Sequence, residues 1–186
     1  MKSQPEFPKL TEGIPSRVVS LVPSITRSMI DFGLDEHIVG ITDYCEPGGL
    51  IDVVRVGGTL TPRIDLIHDL DPDLVIANVE ENPEEIVSQL TDAGLDVWIS
   101  YPKTITDCIN DLWHLARIFG IAERVSNTIT SMERTIVWLN QASAGMRGKR
   151  VFCPIWFDNW WMTINRDTYV HSVVELCGGS NIFASR

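Results

Sequence analysis

Trp156, Phe157, Trp160 and Trp161 fall within six consecutive positions, between a strand-like run and a helix that ends at Gly178-Gly179. Rings this close together either fill the edge of a core or form a wall on which a flat ligand stacks. The residue types leave both open. Asp158, Asn165, Arg166 and Asp167 lie in the same loops and offer polar contacts. A second group is acidic: Glu80, Glu81, Glu84 and Glu85 straddle the start of a helix that follows an apolar run. The helix dipole favours carboxylates there. The same position, past the carboxyl end of a strand, is also where open α/β sheets bind ligands. Tyr44 and Cys45 follow another strand end in the same way, and Tyr44 brings a ring and a hydroxyl either to a cleft or to the packing of its loop.

Covalent and metal chemistry find little footing. The chain has no GxSxG, no phosphate-binding Walker loop and no GxGxxG after a strand. Cys45, Cys108, Cys153 and Cys177 form no CxxC pair, and the histidines show neither HxxxH nor HExxH. The cysteines therefore read as free thiols of small buried side chains, and no catalytic residue or metal ligand is assigned. Asp65, Asp69, Asp71 and Asp73 read as a solvated helix face followed by a turn.

These groups need a scaffold, and the apolar pattern supplies one. Arg17–Val22, Ile38–Thr42, Asp73–Ala77 and Asp96–Ser100 are short β-branched runs that read as strands. Helices are expected between them: over Ile25–Phe32 with Ser24 as cap and Gly33 as stop, from Thr61-Pro62 to Leu70, and from Asn82-Pro83 to Gly94. A long loop, Asp43 to Thr59, follows the second strand; loops of that length are often functional. This alternation predicts an α/β fold with a mainly parallel sheet flanked by helices. A helix over Thr106–Phe119 ends at Gly120. Ile121, Val125, Ile129, Met132, Ile136 and Leu139 then recur at spacings of four, four, three, four and three. That is one face of a helix of roughly twenty residues, about 30 Å long and able to connect two lobes. Val151–Trp156 starts a new strand, Met162–Ile164 pairs with it, and Thr168–Cys177 is helical. The expected organisation is a flexible leader over 1–16, an N-terminal α/β lobe over 17–120, a connecting helix over 121–147 and the start of a second α/β lobe over 148–186. That last piece is too small to bury a core alone, so truncation, or packing borrowed from elsewhere, is expected.

Composition narrows the partners. The 186 residues carry a formal charge of −10 and a pI near 4.7, which argues against nucleic acid and against an electrostatic membrane anchor. No stretch reaches the roughly 18 apolar residues of a spanning helix. The leader lacks the apolar segment of a signal peptide. Location is left open: periplasmic or membrane-attached if an export signal has been removed, cytoplasmic if Met1 is the native start.

Three motifs in order give the chain a family look. RVVSLVPSITRSMIDFGLDEHIVGITDYCEP resembles the opening of the cobalamin and iron-siderophore binding proteins of ABC importers, the periplasmic-type binding proteins with a helical backbone. VGGTLTPRIDLIHDLDPDLVIA resembles their Gly-Gly turn, helix and Pro-Asp-Leu-Val strand, and VVELCGGSNIF resembles the opening of their second lobe. The resemblance implies two α/β lobes joined by a stiff helix with little hinge closure, and a corrinoid or metal chelate held between them. It implies that Tyr44 lines the cleft, and that the aromatic stretch begins the second lobe and faces Tyr44. Thr59 and Asn78 stand where cobalamin binders place tryptophans. Asp65 stands where the family places a glutamate that docks onto permease arginines; aspartate keeps the charge on a shorter arm. ANVEENPEE and PIWFDNWWMTINRDTY resemble a sub-branch whose members often lack export signals.

The reading is thus a non-catalytic binding protein of the cobalamin or iron-siderophore importer type. Its ligand positions are Tyr44, Thr59, Asn78, Glu80, Glu81, Trp156, Phe157, Trp160 and Trp161, with Asp65 for permease docking. The ligand is cobalamin or an iron chelate. One alternative is a cytosolic corrinoid- or metal-handling enzyme or chaperone that uses the carboxylates from Glu80 to Glu85. Another is a scaffold whose second piece is covered in a homodimer.

Overall fold

The computed structural model describes residues 13–49, 52–145 and 148–185. Most of the expected leader, residues 1–12, lies outside them. The chain divides into two compact units. One runs to Tyr101 and includes Arg117–Gly120; the other comprises Pro102–Ala116 and Ile121 onward.

The first unit is built on five strands: β1 (Val18–Ser20), β2 (Ile38–Ile41), β3 (Val54–Arg55), β4 (Leu74–Asn78) and β5 (Val97–Ser100). All pair in parallel, in the order β3-β2-β1-β4-β5. β1 and β4 are buried at every position, as central strands covered on both faces must be. Helices α1 (Pro23–Asp31), α2 (Ile64–Asp69) and α3 (Glu84–Asp92) connect them. Val19, Leu21, Val56, Ile67, Val75 and Leu90 form a shared core. Gly40 permits that packing: a Cβ there would lie 2.9 Å from Leu70 Cδ1 and 3.1 Å from Val19 Cγ2. The parallel α/β sheet expected from the alternation of strand and helix is therefore present. β3 is additional; its two residues sit inside the segment that reads as one long loop.

Three expected helix caps are replaced. α1 starts two residues earlier than Ser24 as cap would have it, with Pro23 in its first turn and no side-chain cap, because the proline ring is already set for a helical φ. α2 starts at Ile64, since Pro62 is held in a bridge with Gly57. α3 starts at Glu84 with no side-chain cap, because the Asn82 side chain has partners elsewhere. The glycine stops hold: Gly33, Gly94 and Gly120 have φ of 67°, 82° and 66°, the left-handed conformation that ends helices. Asp73, read as part of a solvated run, anchors the chain entry by accepting from the backbone of Ser16 and Arg17 at 2.8 and 3.0 Å.

The second unit contains most of α4 (Ile105–Ile118), then α5 (Ala122–Ser143), α6 (Tyr169–Leu176) and two small sheets. α5 is one 22-residue helix, as the spacing predicts. Trp113 of α4 donates from Nε1 to Glu133 of α5 at 2.8 Å. The strand expected over Val151–Trp156 is split. β6 (Lys149–Val151) pairs in parallel with β9 (Gly179–Asn181), and β7 (Pro154–Asp158) pairs antiparallel with β8 (Trp160–Thr163). Thr168 caps α6, accepting from the His171 amide.

Candidate functional site

In the first unit β2 and β3 lie on one side of β1, and β4 and β5 on the other. A parallel sheet whose order reverses at its first strand leaves a crevice at the carboxyl ends there. The loops after β2, β3 and β4 converge on that rim, and they carry Tyr44, Thr59 and the segment from Asn78 to Glu81.

Tyr44 is 70% exposed. Its loop is held from below. Arg55 donates through one guanidinium nitrogen to the carbonyls of Thr42 and Cys45 at 2.6 and 2.8 Å. The Cys45 thiol is buried within 3.1 Å of Thr42 Oγ1 and 3.2 Å of Thr26 Oγ1. Tyr44 leans towards the β3 loop: a Cβ on Gly58 would lie 3.6 Å from its ring. Thr59 is half-buried in that loop.

Asn78 ends β4 and is buried, with its side chain in use. Its Oδ1 accepts from the Glu80 amide at 2.7 Å, and its Nδ2 lies 3.5 Å from Ser100 Oγ. Glu80 is exposed and Glu81 half-buried. Burial, and then the charge of Glu80, hold the Glu81 carboxyl above its ordinary range. Among the described residues no three His, Cys, Asp or Glu side chains stand together where an ion could bind, so Glu80, Glu81, Glu84 and Glu85 form no such cluster. Asp65 is exposed in the first turn of α2.

The second unit carries the aromatic hairpin. Phe157 faces Trp161 in register, Trp156 faces Met162 and Asp158 faces Trp160, with Asn159 at φ 57° in the turn. Alternation along the strands puts Phe157 and Trp161 on one face and Trp156, Trp160 and Met162 on the other. Trp156, Phe157, Trp160 and Trp161 are 57–79% exposed. Edge-of-core packing is thereby overturned, because neither face of the ribbon is covered. The nearby polar groups serve the local backbone: Asn165 Oδ1 accepts from the Asp167 amide at 2.9 Å, and Arg166 Nε donates to the Ala184 carbonyl at 2.8 Å. A separate open cavity of about 780 Å³ lies between α4, α5 and Tyr169, lined by Cys108, Leu112, Met132 and Ile136 among others. None of the ligand positions expected from the sequence borders it.

Sequence reasoning passed over two rim residues. Arg55 sits in an unrecognised strand. Asn82 carries the signature of a helix cap, which concealed its contacts across the sheet.

Residues 18–186 match the model of a family described as periplasmic binding protein. The chain is 29% identical over 169 residues to the vitamin B12-binding protein of Yersinia pestis strain Pestoides F, a match covering 90% of this chain and 60% of that one. It thus spans about 60% of the length of the curated relatives it matches. The solved periplasmic vitamin B12 binding protein of Vibrio cholerae superposes with a TM-score of 0.73 at 27% identity, covering 92% of this chain and 68% of that one. An ABC transporter substrate-binding protein from Listeria monocytogenes EGD-e superposes with a TM-score of 0.79 at 20% identity, covering 94% and 67%. At that identity the likeness is one of fold.

Proposed function

The chain belongs to the periplasmic binding protein family, and from that membership we propose that it serves as the ligand-capturing component of an ABC importer for a corrinoid or an iron chelate. The observation that carries the reading is the exposure of aromatic faces. Tyr44 at the carboxyl rim and the four rings of the hairpin are uncovered, in a chain 29% identical to a vitamin B12-binding protein. Clustered exposed rings mark binding surfaces.

Capture rests on area and shape. A flat macrocycle laid on such rings removes apolar surface from water at about 25 cal/mol per Å², and stacking adds about 0.5–1.5 kcal/mol for each aromatic pair. Thr59, Glu80 and Glu81 supply the polar edge of the rim, with the buried Asn78 side chain holding the Glu80 amide beneath it. Asp65 would present its carboxylate to basic groups of a permease. Residues 17–120 make the first lobe in this reading, 121–147 the connector and 148–186 the opening of a second lobe. No residue is assigned a catalytic role; the relatives are named as binding proteins.

The test is a titration of the purified protein with cyanocobalamin and with haemin as an iron-chelate probe, followed by absorbance and thermal unfolding. Saturable binding should stabilise the protein by about 2.7 kcal/mol at a free ligand concentration of 100 times Kd. No response to either probe overturns the proposal. Stabilisation by a divalent metal alone, lost in Glu81→Ala, would point instead to the acidic segment.

A further inference from the structure

Asn82 links two loops on opposite sides of the crevice. Its Oδ1 accepts from the Asn78 amide at 2.8 Å, and its Nδ2 donates to the Thr59 carbonyl at 2.8 Å. Its own amide donates to the Asn78 carbonyl at 2.8 Å. Asn82 is 1% exposed. β2 and β1 lie between β3 and β4 in the sheet, so the strands feeding these loops are about 14 Å apart at ordinary strand spacing. One carboxamide closes that distance because both loops lean inward over the ends of β1 and β2. Capping does not explain the residue, since α3 has no side-chain cap. An amide buried here with donor and acceptor both paired is costly to remove, because it would leave polar backbone groups unmatched.

We propose that Asn82 is a positioning residue: it fixes the separation of the Thr59 loop and the segment from Asn78 to Glu81, so that the rim is preorganised before a ligand arrives. The inference rests on the binding reading above only for what the crevice takes. Without the tie the two loops move independently, and the binding-competent arrangement becomes a fraction of the population. Apparent affinity then falls by that fraction. The loss appears in the association rate, while the completed complex dissociates as before. Aspartate at this position can still accept from Asn78 but turns an oxygen toward the Thr59 carbonyl, so it cuts one arm. Alanine cuts both.

The experiment compares the protein with Asn82→Asp and Asn82→Ala, by amide hydrogen exchange without ligand and by stopped-flow association with cyanocobalamin. Exchange should rise about tenfold over residues 57–63 and 78–82 in Asn82→Ala, and over 57–63 in Asn82→Asp, with β1, residues 74–77 of β4 and α5 unchanged. The cyanocobalamin association rate should fall about tenfold in Asn82→Ala with dissociation unaltered. Unchanged exchange in both loops overturns the proposal. So does faster exchange throughout the first unit in both variants, which would make Asn82 a general stability residue. If the unsubstituted protein takes up no cyanocobalamin, the binding reading falls, and the exchange measurement alone decides the tie.

Discussion

The rings of Phe157 and Trp161 sit 4.8 Å apart, tilted at 53°, on one face of the β7–β8 hairpin. Trp160 is on the other face and is 79% exposed. The two faces should therefore respond differently. Phe157→Ala loses a ring pair worth about 0.5–1.5 kcal/mol, whereas Trp160→Ala costs under about 0.5 kcal/mol; urea unfolding measures both. If the ribbon is a ligand wall, Trp160→Ala should still weaken cyanocobalamin binding about fivefold, equivalent to roughly 1 kcal/mol. An unchanged Kd would remove Trp160 from the wall.

Glu81 makes stability fall as pH rises. Its folded pKa is raised, by burial first and Glu80 second, so the folded state holds that proton more tightly than the unfolded chain. The stabilisation is complete below the unfolded pKa and is lost as pH climbs through the folded one. Above both values the ionised carboxylate is a net cost. Glu81→Gln should therefore stabilise the protein at pH 7, and the difference should shrink as pH falls through the raised folded pKa and level off below about 4. Urea midpoints across that range provide the check, and a destabilised Glu81→Gln at pH 7 would contradict it.

Thiol reactivity should separate the cysteines. Burial, followed by the charges of Asp111 and Asp107, pushes the Cys108 thiol up to about 12, so at pH 8 about one molecule in ten thousand carries the thiolate that reacts. Cys45 is 2% exposed, while Cys177 is exposed. Maleimide labelling followed by mass spectrometry should modify Cys177 first, Cys108 far more slowly, and Cys45 only on unfolding. Early labelling of Cys108 would refute the burial argument.

Two glycines distinguish backbone strain from rim geometry. Gly57 has φ of 101°, and a Cβ there would sit 3.0 Å from the Thr61 carbonyl oxygen. Gly94 has φ of 82° with nothing within 4 Å of a Cβ. Gly94→Ala should cost about 1 kcal/mol from the left-handed conformation alone, and leave cyanocobalamin affinity intact. Gly57→Ala should cost about 2 kcal/mol or more and weaken binding, because the Thr59 loop must shift. Equal effects on binding would show that the loop does not shape the rim.

Much of the scaffold could be read along the chain. The β-branched runs that became β1, β2, β4 and β5, the apolar spacing that became α5, and the stops at Gly33, Gly94 and Gly120 all reflect local preferences. β3 and β9 escaped because strands of two and three residues carry no periodicity to detect. The caps assigned to Ser24, Thr61 and Asn82 failed for a related reason: a cap signature records what a side chain can do nearby, not which partner wins.

By itself, then, the sequence determined the parallel α/β framework, the long helix and the acidic net charge, since these follow from backbone preference, residue period and summed charge. The tertiary structure decided two things the sequence left open. It left the rings of Trp156, Phe157, Trp160 and Trp161 uncovered, and it turned Asn82 from a helix cap into a bridge to Thr59, 23 residues away. Burial and long-range hydrogen bonds depend on which segments come together, and chain order does not encode that.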